Sequence, residues 1–265
     1  MLYPLPVDLI KLNEDKLKTI DSRVKDIYRL ITFSRDHHAD DLLDRFLTSN
    51  NSLAQLLSIK NAQMEAESEE DIQEYLENLN LAISFIVDEI KDGRNFERMT
   101  QLFELFRIIS PHTHARHPNK FRQGLVQIGR TICPEPHEIP GLVAQTFDSI
   151  FLIHHPVVRA IYFHHEMIRI HPFADGNGRT IRIAKNWMLM YDLYPPIFVK
   201  DDIEKKQYIN TLEESFGQLE SHPGAWNAAT EKFFDQELHR IEHNSEIVLQ
   251  DLQRVASNEK MDKPI

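Results

Sequence analysis

The fold is most tightly constrained by twelve residues that read His171-Pro172-Phe173-Ala174-Asp175-Gly176-Asn177-Gly178-Arg179-Thr180-Ile181-Arg182. They combine a base, a carboxylate, two glycines, an amide and two arginines. The chain has eight glycines in all, and two of them flank Asn177, where backbone N–H groups can approach an anion without a Cβ in the way. This density of special residues predicts a phosphate site.

The residues that follow the glycines are predicted to form a helix. The segment from Arg179 to Tyr191 lacks Gly and Pro, and its apolar residues recur at helical spacing, at Ile181, Ala184, Trp187, Met188 and Tyr191. The glycines therefore open onto a helix N-terminus. Its free N–H groups and the positive end of its dipole would face a bound anion.

Two side chains of the stretch are candidates for the chemistry itself. His171 directly follows a predicted helix that ends at Ile170, and an unperturbed pKa of about 6.5 suits a general base. A lone histidine beside Pro and Phe is otherwise more often structural. Asp175 is a hard oxygen ligand that suits Mg²⁺ held jointly with phosphates. Its structural alternative is a helix N-cap, and the two roles are compatible.

The glycines and arginines are candidate phosphate ligands. Gly176, Asn177 and Gly178 would form an anion nest, and Asn177 also offers a side-chain amide. Arg179 and Arg182 are three residues apart, so on one helix they share a face and can grip successive phosphates. They are solvated charges in the alternative interpretation. Two cations in the first turn oppose the helix dipole unless an anion is bound, which favours the functional interpretation.

The stretch resembles the signature HPFx(D/E)GNGRxxR of the Fic family and matches it at every specified position. Ala160, His164 and Ile170 also fit the family's preceding helix. The stretch Pro118-Asn119-Lys120-Phe121-Arg122 is similar to the family's Pro-Gly-x-Tyr-Arg, with Asn119 in place of glycine. The resemblance runs from about Phe103 to Pro196. It implies an all-α Fic fold, a helical bundle with a small β-hairpin flap beside the active site.

The resemblance also implies an activity, which is transfer of AMP from ATP to a Ser, Thr or Tyr hydroxyl of a target protein with release of pyrophosphate. His171 would be the general base and Asp175 the Mg²⁺ ligand, while Arg179 and Arg182 would bind phosphates. Fic-type transfer of another group, or removal of AMP from a modified protein, is the first alternative. A kinase-like branch replaces the first motif glycine, so Gly176 weighs against it. A non-catalytic helical module that binds a nucleotide or a partner is the alternative of another class.

A second region of interest is the predicted flap. Between Ser110 and Ile139 prolines interrupt the helices, and a short run rich in β-branched residues predicts a hairpin. The resemblance assigns this run to the flap, and a target segment would add to its edge as a strand. An ordinary surface hairpin is the alternative. The predicted docking residues are Gly124, Leu125, Val126, Gln127, Ile128 and Gly129.

The rest of the chain reads as helix. Apolar residues at three and four spacing predict helices over Leu42–Leu57, Asp71–Lys91, Phe96–Ser110, Leu142–Ile153, Val157–Ile170, Arg179–Tyr191, Ile203–Phe216 and Ala225–Val255. The class is therefore all-α, with helical extensions on both sides of the core. We expect an N-terminal helical region over 1–95, a Fic core over 96–218 and a C-terminal helical extension over 219–265.

Composition limits the partners. The 265 residues carry a formal net charge of −11, which argues against nucleic acid, because phosphate binding needs a basic surface. Positive charge is concentrated between His154 and Asn186, at Arg159, Arg169, Arg179, Arg182 and Lys185. Cys133 is the single cysteine, as is typical of a reducing compartment. With neither a signal peptide nor a membrane-length run, we expect a cytoplasmic protein with no membrane partner.

Regulation is where the sequence departs from the family. Many Fic proteins carry an inhibitory helix, (S/T)xxxE(G/N), whose glutamate pairs with the second motif arginine. The nearest upstream candidate is Leu56-Leu57-Ser58-Ile59-Lys60-Asn61. Lys60 stands in the place of the glutamate and cannot pair with Arg182. In one alternative the inhibition is lost. In another it is supplied by a different segment, by a second copy in a homo-oligomer or by a separate inhibitory partner. In the third, Lys60 is a plain surface residue.

Overall fold

The computed structural model describes residues 4–33, 46–47, 69–118, 120–199 and 201–261. Within these ranges the chain forms nine α-helices and one two-stranded antiparallel sheet. The helices are α1 Glu14–Phe33, α2 Glu69–Lys91, α3 Met99–Ile109, α4 Pro111–Arg116, α5 Ile139–Leu152, α6 Pro156–Ile170, α7 Asn177–Tyr191, α8 Asp202–Ser221 and α9 Ala228–Met261. The all-α prediction with one small hairpin is confirmed. No helix of the described ranges is long and apolar enough to cross a membrane.

Helix α1 differs from the sequence-based expectation, and one predicted helix lies almost wholly outside the described residues. Helix α1 was not predicted, although Ile20, Val24, Ile27 and Ile31 recur at helical spacing and are buried. Their stripe packs against α9, so the signal was present and was missed. The predicted helix Leu42–Leu57 lies outside the described residues except for positions 46 and 47.

Prolines start helices in this fold as well as stopping them. Pro111 was expected to break the helix that precedes it, and α3 does end at Ile109, but Pro111 then opens the short helix α4. Pro156 likewise opens α6. The first turn accepts proline because its missing N–H has no intrahelical acceptor in any case and its fixed φ suits the helix.

Helices α6 and α7 lie at the centre of the molecule. Almost every residue of α6 is buried, and α6 packs against α5 on one side and α7 on the other. Helix α7 also packs against α2 and α3. Trp187 of α7 is fully buried among Phe85 and Phe96, and its indole N–H donates to the Arg94 carbonyl at 2.9 Å. The loop that joins α6 to α7 is therefore held between two rigid elements.

A continuous hydrophobic core extends from Leu5 to Leu252. It includes residues of α1 and α9, which pack against each other, and α9 also packs against α8. The first and last helices of the described chain thus share one core with the central pair. The division at 95 and 218 stays a prediction.

Candidate active site

His171 ends α6 in a left-handed backbone conformation. Its φ of 52° and ψ of 63° are unusual for a residue with a Cβ and cost of order 1–2 kcal/mol. Two hydrogen bonds hold the residue there, because its N–H donates to the Met167 carbonyl at 3.0 Å and its own carbonyl accepts from Arg122 Nε at 2.7 Å. The strained turn leads the chain sharply out of α6 into the loop.

Arg122 is the main brace of this loop. Its buried guanidinium donates to four main-chain carbonyls, and its backbone N–H donates to Pro172 at 2.8 Å. The carbonyls belong to His171, Gly124, Pro134 and Ile170. One side chain thus ties both ends of the hairpin region to His171. The sequence singled out Arg122 only through the family resemblance, since no periodicity marks a buried arginine that bonds to carbonyls.

The loop after His171 is fixed by an aromatic stack and an amide. Phe173 is fully buried and lies parallel to Phe106, with ring centroids 3.9 Å apart. Asn177 accepts from the Phe173 N–H and donates to the Phe173 carbonyl, both at 2.8 Å. The Asn177 amide therefore shapes the loop. Its predicted contact with a phosphate stays a prediction.

The two motif glycines are needed for different reasons. Gly176 has a φ of +71°, and a Cβ there would lie 2.1 Å from Ser110 Oγ, so both strain and space exclude a side chain. Gly178 has an ordinary φ, and a Cβ there would lie 3.0 Å from Nη1 of the flexible Arg182. Gly176 is thus required by the fold. Gly178 keeps open the first turn of α7, whose N–H groups have no intrahelical acceptors.

A cavity of about 400 Å³ opens at the N-terminus of α7. This volume is within the range of small-molecule sites. The lining brings together most of the predicted phosphate and catalytic residues with two that the sequence did not indicate, Tyr75 and Lys205. The remaining lining residues are His171, Ala174, Asp175, Gly176, Asn177, Gly178 and Arg179. Arg182 is not part of the lining, and its guanidinium stands beside Gly178.

Asp175 and Arg179, which both line the cavity, form an ion pair. Arg179 Nη2 lies 3.3 Å from Asp175 Oδ2, in a pair whose arginine side chain is 6% exposed and whose carboxylate is 59% exposed. The guanidinium also stacks over Tyr75 of α2, with its carbon 3.6 Å from the ring centroid. The predicted metal ligand and the predicted phosphate ligand therefore neutralise each other, and an aromatic ring covers the arginine.

His171 is held in its neutral form. Burial, and then the nearby charge of Arg122, lower its pKa to about 4, although the Ile168 carbonyl and Asp175 act in the opposite direction. The imidazole is therefore unprotonated at neutral pH and able to accept a proton. Nδ1 is buried, which leaves Nε2 as the nitrogen that a substrate can approach.

Asp175 fits magnesium only as part of a shared site. The described ranges contain no group of three or more His, Cys, Asp or Glu side chains that could hold a metal ion by themselves. Mg²⁺ is commonly held by one or two carboxylates together with substrate phosphates and water. The exposed Asp175 carboxylate beside an anion site suits that arrangement.

The predicted flap is a two-stranded hairpin. Strand β1, Gln127–Ile128, pairs with β2, Thr131–Ile132, and Gly129 in the turn has a φ of +56°. A Cβ on Gly129 would overlap the Glu213 carboxylate of α8, so the turn packs closely on that helix. Leu125 and Ile132 are exposed, and the run from Gly124 to Gly129 does not line the cavity. Its role in docking a target stays a prediction.

Not every cation near the motif serves the cavity. Lys185 was counted with the local positive charge, yet its Nζ lies 2.7 Å from the buried carboxylate of Glu237 on α9. Arg169 is paired with the buried Glu166. Both charges are therefore neutralised inside the protein and belong to its core. Lys60, the regulatory candidate, lies outside the described residues.

The adjacent histidines of α6 are core residues. His164 Nε2 lies 2.9 Å from the Tyr208 hydroxyl, and its Nδ1 lies 3.4 Å from Glu237 Oε2. His165 bonds to Glu166 at 2.8 Å and to Ser215 at 2.9 Å. Each ring is fully buried with its own partners. They do not form a metal pair.

The helical bundle, the glycine-opened helix and the strained histidine define a Fic domain. Residues 99–189 match the model of the Fic/DOC family, as the motif predicted. It is 32% identical over 164 residues to the Protein adenylyltransferase Fic of Culex quinquefasciatus, a match that covers 59% of this chain and 32% of that protein. The chain thus spans about a third of the length of the curated relatives it matches.

Solved structures share the fold. A Fic-domain signalling protein from Bacteroides thetaiotaomicron superposes with a TM-score of 0.66 at 20% identity, over 87% of this chain and 98% of that chain. An IbpAFic2 variant in complex with adenylylated Cdc42 superposes with a TM-score of 0.53 at 16% identity, over 88% of this chain and 71% of that chain. At these identities the likeness concerns the fold.

Proposed function

We propose that this chain is a protein adenylyltransferase, which transfers AMP from ATP to a Ser, Thr or Tyr hydroxyl of a target protein and releases pyrophosphate. The observation that carries the proposal is one cavity that joins a neutral histidine, an exposed carboxylate and a glycine-opened helix N-terminus. The name shared by the curated relatives supports it.

In the proposed reaction His171 Nε2 accepts the proton of the target hydroxyl. The hydroxyl oxygen forms a bond to the α-phosphorus of ATP, while the bond from that phosphorus to the bridging oxygen breaks and its electron pair leaves with pyrophosphate. The low pKa of His171 keeps the base unprotonated before the target arrives. The negative charge of a bound nucleotide raises that pKa towards a value better suited to proton transfer.

The charge of the nucleotide is met by the start of α7. N–H groups of the first turn would cradle the phosphate under attack, and Arg179 and Arg182 would bind the others. Asp175, together with phosphate oxygens, would hold Mg²⁺, which would supply positive charge to neutralise the leaving group. Because Asp175 and Arg179 pair with each other, each would exchange that partner when nucleotide and metal bind. Their pair is partly exposed, so the exchange costs little.

A protein target would dock on the hairpin. Leu125, just before β1, and Ile132, within β2, are both exposed. An extended segment that adds to a strand edge is registered by main-chain hydrogen bonds. Arg122 connects this hairpin to His171, so a docked segment would have a fixed position relative to the base. The complex of IbpAFic2 with adenylylated Cdc42 supports a protein as the acceptor.

The proposal is tested by the position of the label. The purified chain is incubated with Mg²⁺, a cell lysate and ATP labelled on either the α- or the γ-phosphate. Label on protein from α-labelled ATP alone is the expected result, and it should disappear in His171→Ala. Label from γ-labelled ATP would indicate phosphorylation instead. Release of AMP from previously adenylylated protein, without transfer, would identify the removal reaction.

A further inference from the structure

Lys205 is a cation of the nucleotide cavity that the motif does not contain. We propose that Lys205 binds the polyphosphate of the nucleotide and thereby favours a nucleoside triphosphate over a monophosphate. The residue lies on α8, outside the matched residues 99–189, and lines the same cavity as His171 and Asp175. The proposal rests on the proposed function, because it assigns a further ligand to the same nucleotide site.

The first argument is that Lys205 stands on a rigid part of α8. The helix is capped by Asp201, whose Oδ1 accepts from the Glu204 N–H at 2.8 Å. Glu204 Oε1 in turn accepts from Arg240 Nε of α9 at 2.7 Å. One turn further on, the Tyr208 hydroxyl bonds to the buried His164 at 2.9 Å. The residues beside Lys205 are therefore anchored to α6 and α9, which fixes where its side chain starts.

The second argument is the charge of the cavity lining. His171 is neutral at pH 7, and the opposite charges of Asp175 and Arg179 lie 3.3 Å apart and offset each other. Among the described residues of the lining, Lys205 is a second cation beside Arg179. The described lining therefore carries two cations and one carboxylate in a chain whose net charge is −11. A concave site of one sign raises the local concentration of a ligand of the opposite sign.

The third argument is the chemistry of the ligand. The N-terminal turn of α7 offers N–H donors for one phosphate group. A triphosphate carries two further groups that need cations, and an ammonium on a flexible stem is a common point-charge ligand for them. Loss of Lys205 should therefore weaken the binding of ATP far more than that of AMP.

Lys206 provides a matched control for the experiment. It is the next residue of the same helix and carries the same charge, but it is exposed and does not line the cavity. Adjacent helix residues point about 100° apart. Lys205→Gln and Lys206→Gln therefore change the net charge of the chain equally, and they differ in which side chain faces the cavity.

The dissociation constants of ATP and AMP are measured in the presence of Mg²⁺ for the wild type, both glutamine variants and Lys205→Arg. Lys205→Gln should weaken ATP binding roughly tenfold, as expected for a charge-assisted contact that is partly exposed. AMP binding should change less than threefold, Lys206→Gln should stay within twofold of the wild type for both ligands, and Lys205→Arg should retain most of the ATP affinity.

Several outcomes would overturn the inference. Equal weakening by the two glutamine variants would mean a general field effect, and no weakening by either would remove Lys205 from the site. Equal loss of ATP and AMP binding by Lys205→Gln would contradict a polyphosphate contact. Failure of the wild type to bind ATP would instead refute the proposed function. Thermal unfolding of each variant checks the fold, and Lys205→Met replaces the glutamine variant should that variant unfold.

Discussion

Helix α7 uses positive charge in opposite ways at its N-terminal turn, the open end, and in the buried part around Lys185, which we call the buried end. In the first turn, Arg179 lies 3.3 Å from a carboxylate that is 59% exposed. Six residues further on, Lys185 lies 2.7 Å from the carboxylate of Glu237, which is 2% exposed. Both are basic residues of α7 that pair with a carboxylate, and the exposure of the two carboxylates differs.

This difference in exposure distinguishes an ion pair that can give way to a ligand from one that stabilises the fold. A partly exposed ion pair contributes about 0–1 kcal/mol, so Arg179 can exchange Asp175 for a phosphate at small cost. A buried pair is different, because removing one partner leaves an uncompensated charge in the interior and costs about 3–5 kcal/mol. The open end of α7 is therefore suited to an exchangeable ligand. The buried end fixes α7 to α9 and is not suited to an exchangeable ligand.

The pKa shifts follow the same division. At the buried end, Glu237 is surrounded by Lys185, His164 and Arg240, and these charges hold its pKa well below the usual range despite burial. Burial lowers the pKa of Lys185 to about 8, although Glu237 acts in the opposite direction. At the open end, burial lowers the pKa of His171 to about 4 and keeps its imidazole unprotonated at neutral pH. The charges at the buried end stabilise the fold, whereas the groups at the open end can take part in binding and catalysis.

The largest expected effect is loss of transfer at the open end without loss of stability. His171→Ala should reduce AMP transfer by about 10²–10⁴-fold, because the target hydroxyl loses its proton acceptor. The free energy of unfolding should fall by no more than about 1 kcal/mol, since alanine keeps the Cβ of this left-handed position and the main-chain hydrogen bonds that hold it. Both are measured on the same purified variant, by label transfer and by urea unfolding. Transfer at the wild-type rate would remove His171 from the mechanism.

The next largest effect is the reverse case at the buried end. Glu237→Gln keeps the shape of the side chain but leaves Lys185 without its charged partner, so the free energy of unfolding should fall by about 3–5 kcal/mol. Asp175→Asn is the matched change at the open end and should cost less than about 1 kcal/mol. Equal losses in urea unfolding would erase the distinction between the two ends.

The sequence predicted the open end and could not predict the buried one. Spacing and composition marked His171, Asp175 and the glycines, because their types are rare together and their neighbours form a helix start. Lys185 looked equivalent to Arg179, since a sequence shows charges without showing what faces them. Glu237, which neutralises Lys185, lies 52 residues away. Only the packing of α9 on the bundle brings the two together.

Other misses have the same origin. Helix α1 has a local signal, its apolar stripe at helical spacing, so it could have been predicted from the sequence. Arg122 and Lys205 are different, because nothing local distinguishes an arginine that braces carbonyls or a lysine that lines a cavity from solvated residues of the same type. Their roles depend on contacts across the fold, whereas the helix periods on which the all-α prediction rested are local.

A third effect is the loss of folding stability in acid. Burial, followed by the charge of Lys185, lowers the pKa of His164 to about 3, and burial lowers the pKa of His165. Because the unfolded chain binds these protons near pH 6.5 and the folded chain does not, stability is full above pH 6.5 and falls as the pH drops towards the folded pKa. The depressed pKa of His164 alone should remove about 2 kcal/mol between pH 6.5 and pH 5, and His165 acts in the same direction.

Urea unfolding at pH 7 and pH 5 measures this loss. His164→Gln should lose about 2 kcal/mol less than the wild type over that interval, whatever its stability at pH 7. His239→Gln changes an exposed histidine of α9 and should keep the full loss. An identical pH dependence in all three proteins would show that burial does not keep His164 unprotonated in the folded protein.

The smallest expected effect concerns the contact between Tyr75 and Arg179 at the open end. Tyr75 stacks on the Arg179 guanidinium at 3.6 Å, and a cation–π contact of about 0.5–1 kcal/mol should hold that guanidinium against the cavity wall and reduce the freedom that phosphate binding has to remove. Tyr75→Leu should therefore weaken ATP binding by about 2- to 5-fold, while Tyr75→Phe, which keeps the ring face, should bind as the wild type does. Isothermal titration with the same changes made in Arg179→Ala supplies the decisive comparison. If Tyr75 acts through Arg179, leucine has no further effect once the arginine is gone. An undiminished loss in that background would mean that Tyr75 contacts the nucleotide itself, and the open end would then contain one more direct ligand.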